Sequence, residues 1–250
     1  MLRSFLLALL AAAFLVPNAA LADKRVALVI GNGAYQHAEP LPNPPRDANA
    51  IADLLKRAGF SVEVHNDLGH SDFKHTLHDF ATTAHDADIA VVYYAGHDAQ
   101  IRNENYLIPI DAKLELGDDI GGQAIALDDV LKTTEGAKRL RLLLLDSNGL
   151  AQVDESILST LGDTLIAYAA APGSTALDGD GEHSPFAEAL LKHLIEPGLD
   201  IRRVLEKVRD DVRRGTGGKQ EPFFYGVLGG DEFSLVPAAA TQPLPAAPKD

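Results

Sequence analysis

Short apolar runs alternate with amphipathic stretches along most of the chain, and this alternation restricts the fold more than any other feature. Residues 25–30 are a β-rich apolar run that stops at Gly31, as a strand buried on both faces of a parallel sheet does. Residues 47–58 then carry apolar side chains at helical spacing and end before Gly59, which suits a helix C-terminus. The pattern predicts a strand followed by a helix that returns the chain to the sheet.

The same two signals recur as far as residue 236. Further strands are predicted at residues 61–65, 88–94, 106–109, 139–145, 164–169 and 233–236. Further helices are predicted to start at Ser71 and to cover residues 128–134, 185–194 and 201–214. Strands that alternate with helices predict an α/β sandwich, a mostly parallel sheet with helices on both faces. The loops at the carboxyl ends of its strands are expected to build the functional site.

Both ends of the chain differ in composition from its middle. Residues 1–22 combine a basic start, an apolar run and small residues up to Ala22, which is typical of an export signal. The apolar run is shorter than the ~20 residues of a membrane-spanning helix, so no stable membrane anchor is expected. Residues 237–250 are rich in proline and alanine and are predicted to be disordered. We therefore expect a signal peptide at 1–22, one domain at 23–236, and a periplasmic or secreted location.

The net charge and one missing residue type limit the chemistry. A formal charge of -14 at pH 7 repels phosphate backbones, so no nucleic-acid partner is expected, whereas basic peptides would be attracted. The chain contains no cysteine. Disulfides, thiolate metal sites and a cysteine nucleophile are therefore excluded, and the core must stabilise the fold by itself.

Three parts of the sequence around predicted strand ends form one larger pattern. They are RVALVIGNGAY at 25–35 with LPNPPRDA at 41–48, VYYAGH at 92–97, and LLLLD at 142–146. Together they resemble the caspase-like peptidases, in particular the bacterial relatives of metacaspases called orthocaspases. The resemblance covers residues 25–236 and implies a caspase-haemoglobinase-like sandwich.

The resemblance places His97 at the position of the family's general base. Caspases carry this histidine about 50 residues before the cysteine nucleophile, and Asn148 follows His97 by 51 residues. Asp146-Ser147-Asn148 stands where the family has Asp-Ala-Cys, so the nucleophile is substituted. An asparagine amide is neither a useful nucleophile nor ionisable near neutral pH. Ser147 is the nearest hydroxyl, but the alternation of side chains along a strand predicts that it points away from His97.

Two aspartates are candidates for substrate binding. In metacaspase-like enzymes, two aspartates line the pocket for the arginine or lysine that precedes the cleaved bond, and Asp47 and Asp146 match their positions. Carboxylates suit a guanidinium because they accept its forked hydrogen bonds. The alternative is that Asp47 caps the helix it begins and that Asp146 only ends a strand.

Other acidic and histidine clusters favour structural roles. Asp128 and Asp129 resemble a carboxylate pair that binds calcium in some metacaspases, but aspartate at a helix start is ordinary capping. Calcium is kept as an alternative, and no other cofactor is expected. Residues 178–182 lack EF-hand spacing and predict a solvated turn. His75 and His78 lie opposite the apolar stripe of their helix, which favours a solvated face over a zinc site.

These residues leave three functions open. The leading hypothesis is an exported caspase-fold protein of the cysteine endopeptidase family, inactive because Asn148 replaces the nucleophile, that binds peptides or proteins through Arg or Lys. The alternative is an active endopeptidase that cleaves after Arg or Lys with another nucleophile, such as Ser147. The third is a small-molecule domain on a doubly wound sheet, disfavoured because the loop at 31–36 lacks the third glycine of a dinucleotide fingerprint. The oligomeric state is not predicted.

Overall fold

The computed structural model describes residues 23–102, 104–113, 122–147 and 162–238. The predicted signal peptide and most of the predicted C-terminal tail lie outside these ranges. In chain order, the described strands and helices are β1 (Arg25–Gly31), α1 (Pro44–Arg57), β2 (Ser61–Asn66), α2 (His70–Ala84), β3 (Ile89–Ala95), β4 (Asp98–Ile101), β5 (Glu104–Leu107), β6 (Ile125–Ala126), α3 (Leu127–Lys132), β7 (Leu140–Asp146), β8 (Thr164–Tyr168), α4 (Pro185–His193), α5 (Ile201–Gly215) and β9 (Phe223–Val227).

Six strands form the central sheet in the order β2-β1-β3-β7-β8-β9. The first five are parallel to one another, and β9 pairs antiparallel with β8 at one edge. Every residue of β3, β7 and β8 is buried, which explains their apolar composition, because parallel strands are covered on both faces. The predicted α/β class with a mostly parallel sheet is confirmed.

Helices cover both faces of this sheet. The buried side chains of α1, α4 and α5 belong to one core layer and those of α2 and α3 to the other. In α5, Ile201, Val204, Leu205, Val208 and Val212 form a buried stripe, and each such side chain stabilises the fold by about 1.5–3 kcal/mol. Within the described ranges, no helix is both long and apolar enough to cross a bilayer.

A second sheet of three strands, β4-β5-β6, is antiparallel. The sequence predicted only one extended piece of it, at 106–109, and the observed strand β5 lies slightly earlier. These strands are two to four residues long, too short for a clear alternation of apolar and polar positions. Because β4 starts at Asp98, directly after His97, this small sheet fixes the chain on the far side of the histidine.

The strand predicted at residues 233–236 is wrong. Phe233 is buried in the same core layer as α5, but its backbone bonds to the start of that helix instead of to a strand. Its carbonyl accepts a hydrogen bond from the Ile201 N–H at 2.7 Å, and its N–H donates to Asp200 Oδ2 at 3.0 Å. Apolar burial without strand pairing thus produced a false strand signal.

The last strand is β9, which the sequence did not predict. Its residues are only partly buried or exposed, and Gly226 interrupts its apolar run, which weakens a strand signal. A Cβ on Gly226 would lie 2.1 Å from the carbonyl oxygen of Thr164. The glycine is therefore required by the close approach of β9 to β8.

Two predicted helix starts also differ from the structure. Helix α1 begins at Pro44 after Asn43, so Asp47 lies inside its first turn and does not cap it. The earlier start follows from the proline, whose fixed φ suits the first helical position. Helix α2 begins at His70, so Ser71 lies inside the helix and is not its N-cap.

Candidate functional site

The register of the sheet brings three strand ends together. Gly31 of β1 is paired with Ala95 of β3, and Ala95 is paired with Asp146 of β7. A cavity of about 180 Å³ lies at this edge, where the loops of an α/β sheet build ligand sites. This strand-end cavity is lined by Leu41, Pro44, Asp47, Ala95, Gly96, His97, Asp146, Ser147, Thr175, Ala176, Leu177, Asp178 and Ser184.

Asp146 is the last residue of β7 and is 8% exposed. Its Oδ2 accepts hydrogen bonds from the hydroxyls of Tyr93 at 2.9 Å and Ser184 at 2.6 Å. The pKa of Asp146 is raised to about 7, chiefly by burial and in part by the neighbouring Asp47, while the Ser184 hydrogen bond opposes the shift. Near neutral pH the protonated and ionised forms of this carboxyl are therefore both populated.

Asp47 reaches the cavity from the first turn of α1 and is 1% exposed. Its Oδ1 lies 2.7 Å from Nδ1 of His183, and its Oδ2 accepts the backbone N–H of Ser184 at 3.2 Å. Burial raises the pKa of Asp47 to about 6, against the hydrogen bond from His183. The capping role offered as an alternative for Asp47 is thus wrong, because its carboxylate bonds to a distant loop.

Ser184 links the two carboxyls. Its N–H bonds to Asp47, and its hydroxyl donates to Asp146 while accepting the Ala187 N–H at 2.9 Å. Ser184 is also the N-cap of α4, so helix capping and carboxyl contact depend on one side chain. No role for Ser184 was predicted from the sequence.

Asp178 is a third carboxyl of the cavity. The prediction of a solvated turn at 178–182 is wrong for this residue, which is half-buried and lines the cavity. Its backbone carbonyl accepts the Asn43 side-chain N–H at 2.5 Å, so the start of α1 anchors the loop. Burial raises the pKa of Asp178. No periodicity in the sequence signalled this, because the residue lies in an irregular loop.

Two tyrosines hold the backbone of His97. Its N–H donates to the Tyr35 hydroxyl at 2.7 Å, and its carbonyl accepts the Tyr94 hydroxyl at 2.7 Å. Its ring lies 4.4 Å from the Tyr35 ring, and Nε2 is 2.8 Å from the Glu39 carbonyl oxygen. Since a carbonyl only accepts, Nε2 carries a proton, and in the neutral ring Nδ1 is the basic nitrogen.

Ser147 lines the same cavity and is 3% exposed. Its hydroxyl oxygen is buried and has no hydrogen-bond partner in the described part of the chain, His97 included. A serine nucleophile needs a base within hydrogen-bond reach, so this arrangement does not activate Ser147.

Three of the four residues predicted for the site, His97, Asp47 and Asp146, line one cavity. The fourth, Asn148, lies outside the described residues. The sequence also gave no role to His183 or Tyr93, which bond the two carboxylates. Tyr93 lies inside a buried strand, where an aromatic residue signals packing alone.

The described ranges contain no group of three or more histidines and acidic residues placed to hold a metal ion. Asp128 and Asp129 lie in the first turn of α3, and Asp129 forms an ion pair with Lys132 at 2.9 Å. They do not make a calcium site by themselves, because calcium takes six to eight oxygen ligands. His75 is exposed and pairs with Asp79 at 3.3 Å, as a solvated helix face would.

A mostly parallel α/β sandwich with a histidine and buried carboxyls at its strand ends is the arrangement expected of a caspase-like domain. The family model of the caspase domain, Peptidase_C14, matches residues 24–231, and the chain belongs to this peptidase family. The predicted resemblance to caspase-like peptidases is confirmed. The crystal structure of Caspase-1 from Spodoptera frugiperda superposes with a TM-score of 0.62 at 18% identity, over 88% of this chain and 93% of that one, and it shares the fold.

Two relatives are similar in sequence. Human mucosa-associated lymphoid tissue lymphoma translocation protein 1 is 25% identical over 213 residues, which are 80% of this chain and 25% of the human protein. The mouse homolog is 24% identical over 204 residues, 79% of this chain and 24% of the mouse protein. The chain thus spans about a quarter of the length of these relatives.

Proposed function

We propose that this chain is an exported caspase-fold protein without peptidase activity, which binds basic peptide segments in the strand-end cavity. The observation that carries the proposal is the convergence of Asp47, Asp146 and Asp178 on one small cavity. The described residues that line this cavity include no lysine or arginine; His183 pairs with Asp47, and Arg46 and His97 act on Asp178, but no lysine or arginine of the lining pairs with Asp146. A guanidinium or ammonium group from a peptide would supply the missing positive charge.

The absence of activity is supported by the absence of cysteine from the whole sequence. The family mechanism needs a thiolate beside the histidine, and Asn148 occupies that position of the sequence. The buried hydroxyl of Ser147 makes no hydrogen bond to His97, so His97 does not activate it in this arrangement. A protein with the pocket but without the nucleophile would retain a basic segment instead of cutting it.

The size of the cavity fits one side chain. A volume of about 180 Å³ holds the head group and part of the stem of an arginine or lysine, not a folded partner. The free protein carries raised pKa values on Asp146 and Asp47, so an entering cation would displace protons from these carboxyls. Binding would therefore strengthen as the pH rises from 5 to 8.

Calorimetry with matched peptides tests this function. A short peptide with a central arginine is expected to bind, and the same peptide with norleucine, which keeps the stem and removes the charge, is expected to bind at least about tenfold more weakly. Asp146→Asn should weaken binding of the arginine peptide, whereas Asp53→Asn on the exposed face of α1 should leave its affinity unchanged. Equal affinity for the two peptides would refute the proposed function.

The second candidate is an endopeptidase that cleaves after Arg or Lys with a nucleophile other than cysteine. It is favoured by one observation, the position of the Ser147 hydroxyl beside the cavity without a hydrogen-bond partner among the described residues. Internally quenched peptides measure it directly. Cleavage by the purified wild-type protein that disappears in both His97→Ala and Ser147→Ala would establish this candidate in place of the binding function.

Export to the periplasm or medium is part of the proposal and has its own test. Mass spectrometry of the protein from its native cells is expected to give a chain that begins at Asp23, because the signal pattern ends at Ala22. An intact Met1 on cytoplasmic material would contradict export and would leave the binding proposal intact.

A further inference from the structure

A second cavity lies away from the strand ends, in a groove between α2, β6 and α3. Its volume is about 340 Å³, within the usual range for small-molecule sites. We call it the α2–α3 groove, and it is lined by Lys74, Leu77, His78, Ala81, Ala124, Ile125, Ala126, Asp129, Lys132 and Thr133. None of the residues proposed for peptide binding belongs to it.

The floor of the groove is apolar. Leu77 from α2, Ile125 from β6 and the preceding Ala124 are buried. The polar side chain of the floor is Thr133, directly after α3, and its hydroxyl already donates to the Val130 carbonyl at 2.7 Å. The side chains of the floor therefore offer a ligand apolar contact and no free hydrogen-bond donor. An apolar chain or ring would gain about 25 cal/mol per Å² of buried apolar surface there.

The rim of the groove carries two lysines and a histidine. Lys74 and His78 are exposed on α2, and no ion pair with either is found among the described residues. Lys132 stands on the α3 side, with Asp129 paired to it at 2.9 Å. Asp128 and Glu135 also lie close enough to Lys132 to act on its charge, so that charge is partly balanced by carboxylates. Lys74 is therefore the rim lysine whose charge is most available to a ligand.

We propose that the α2–α3 groove is a binding site for a small amphipathic carboxylate, whose apolar part lies on the floor and whose carboxylate lies between Lys74 and Lys132. An apolar floor with a few placed charges at its edge is the usual construction of a small-molecule site. An apolar cation would lack the favourable contact with the lysines, and a small polar anion would lack apolar contact with the floor of the groove. This site does not depend on the peptide-binding function.

Decanoate is the probe, and decyltrimethylammonium is its matched control, because the two share the apolar chain and differ in the sign of the charge. Calorimetry on the wild-type protein below micellar concentrations is expected to show decanoate binding at least about tenfold tighter. Added salt is expected to weaken the binding of decanoate and not the binding of decyltrimethylammonium. Equal binding of the two probes, or no binding of decanoate, would overturn the proposal without any variant.

Two variants locate the site. Ala81→Phe places a ring in the groove from an exposed position of α2 and is expected to abolish decanoate binding while the circular dichroism spectrum stays unchanged. Lys74→Gln is expected to weaken binding about fivefold, the effect of one partly exposed charge. Lys56→Gln removes an exposed lysine from α1 and is expected to change nothing. Full decanoate affinity in Ala81→Phe would place the ligand elsewhere and refute the site.

Discussion

Ser184 joins three parts of the molecule through one hydroxyl and one backbone amide. It contacts Asp47 from α1, Asp146 from β7 and the first turn of α4. Removal of the hydroxyl leaves a buried carboxyl without one of its donors and a helix without its cap. At the scale of single residues, the cavity and the fold therefore share a stabilising contact.

Ser184→Ala is expected to lower the free energy of unfolding by about 2 kcal/mol, because a lost cap costs about 1 kcal/mol and a lost buried hydrogen bond about the same. Urea denaturation measures the change. Ser71→Ala is the control: Ser71 is exposed in α2 and does not cap it, so a change within about 0.5 kcal/mol is expected. Equal effects in the two variants would contradict the linking role of Ser184.

The raised pKa values of Asp47 and Asp146, about 6 and about 7, predict the pH dependence of stability. The folded protein holds protons on these carboxyls at pH values where the unfolded chain has released them. The contribution of the two protonated carboxyls to the free energy of unfolding is fully present below pH ~4 and is lost as the pH rises through 6 and 7. For Asp146, the loss between pH 5 and pH 8 is on the order of 3 kcal/mol.

Chemical denaturation at a series of pH values tests this dependence. Asp146→Asn carries a neutral amide of the same shape and is expected to flatten the decline between pH 5 and pH 8. Asp53→Asn, on the solvent side of α1, is expected to keep the wild-type slope. If the free energy of unfolding of Asp146→Asn falls between pH 5 and pH 8 as steeply as that of the wild type, then Asp146 is not the group whose deprotonation causes the decline.

Asn148→Cys is expected to introduce cleavage after arginine or lysine, because Asn148 stands at the predicted position of the nucleophile. The exchange supplies a thiol 51 residues after His97, and the two side chains differ modestly in volume, so the fold should tolerate it. Fluorogenic peptides measure the rate. Cleavage that persists after His97→Ala is added to Asn148→Cys would show that His97 is not the base.

At the scale of secondary-structure elements, the end of β3 shows how the chain constrains His97. Gly96 has φ of +153°, and a Cβ there would lie 2.5 Å from the Tyr35 hydroxyl and 2.7 Å from the Tyr94 hydroxyl. Both hydroxyls bind the backbone of the next residue. Only glycine lets the strand end pass between the two tyrosines.

Gly96→Ala is therefore expected to destabilise the protein by more than about 2 kcal/mol, through backbone strain and displacement of the tyrosines. Thermal denaturation measures it. Gly215→Ala at the end of α5 meets no atom within 4 Å and is expected to be neutral or to stabilise by up to about 1 kcal/mol. A neutral Gly96→Ala would mean that the turn tolerates a side chain.

The elements differ in how far the sequence predicts them. Buried parallel strands such as β3 and β7 are continuous apolar runs, so their positions, and with them His97 and Asp146, could be predicted. The 233–236 segment was predicted as a strand because simple burial leaves an apolar signal similar to that of strand pairing. Edge strand β9 was not predicted because its residues are only partly buried or exposed. Asp178 could not be predicted as a cavity residue, since its position depends on a contact between its loop and Asn43, 135 residues earlier in the chain.

At the scale of the whole molecule, the charge of -14 predicts how fast a basic peptide arrives. Association with an arginine peptide is expected to slow by about tenfold or more between 20 and 500 mM NaCl, because salt screens the attraction over distances beyond about a Debye length. Stopped-flow fluorescence measures the rate. The norleucine peptide is the control, and an equal salt effect on both would remove the electrostatic explanation.

The bond from the Ala187 N–H to Ser184 Oγ gives this protein an internal reporter. A cation in the cavity would ionise Asp146, which would then pull more strongly on the Ser184 hydroxyl proton and make its oxygen a better acceptor. The Ala187 amide would then exchange with deuterium more slowly. One backbone proton at the start of a helix would record the occupancy of a cavity that it does not line, and ligands could be ranked without a label on either molecule.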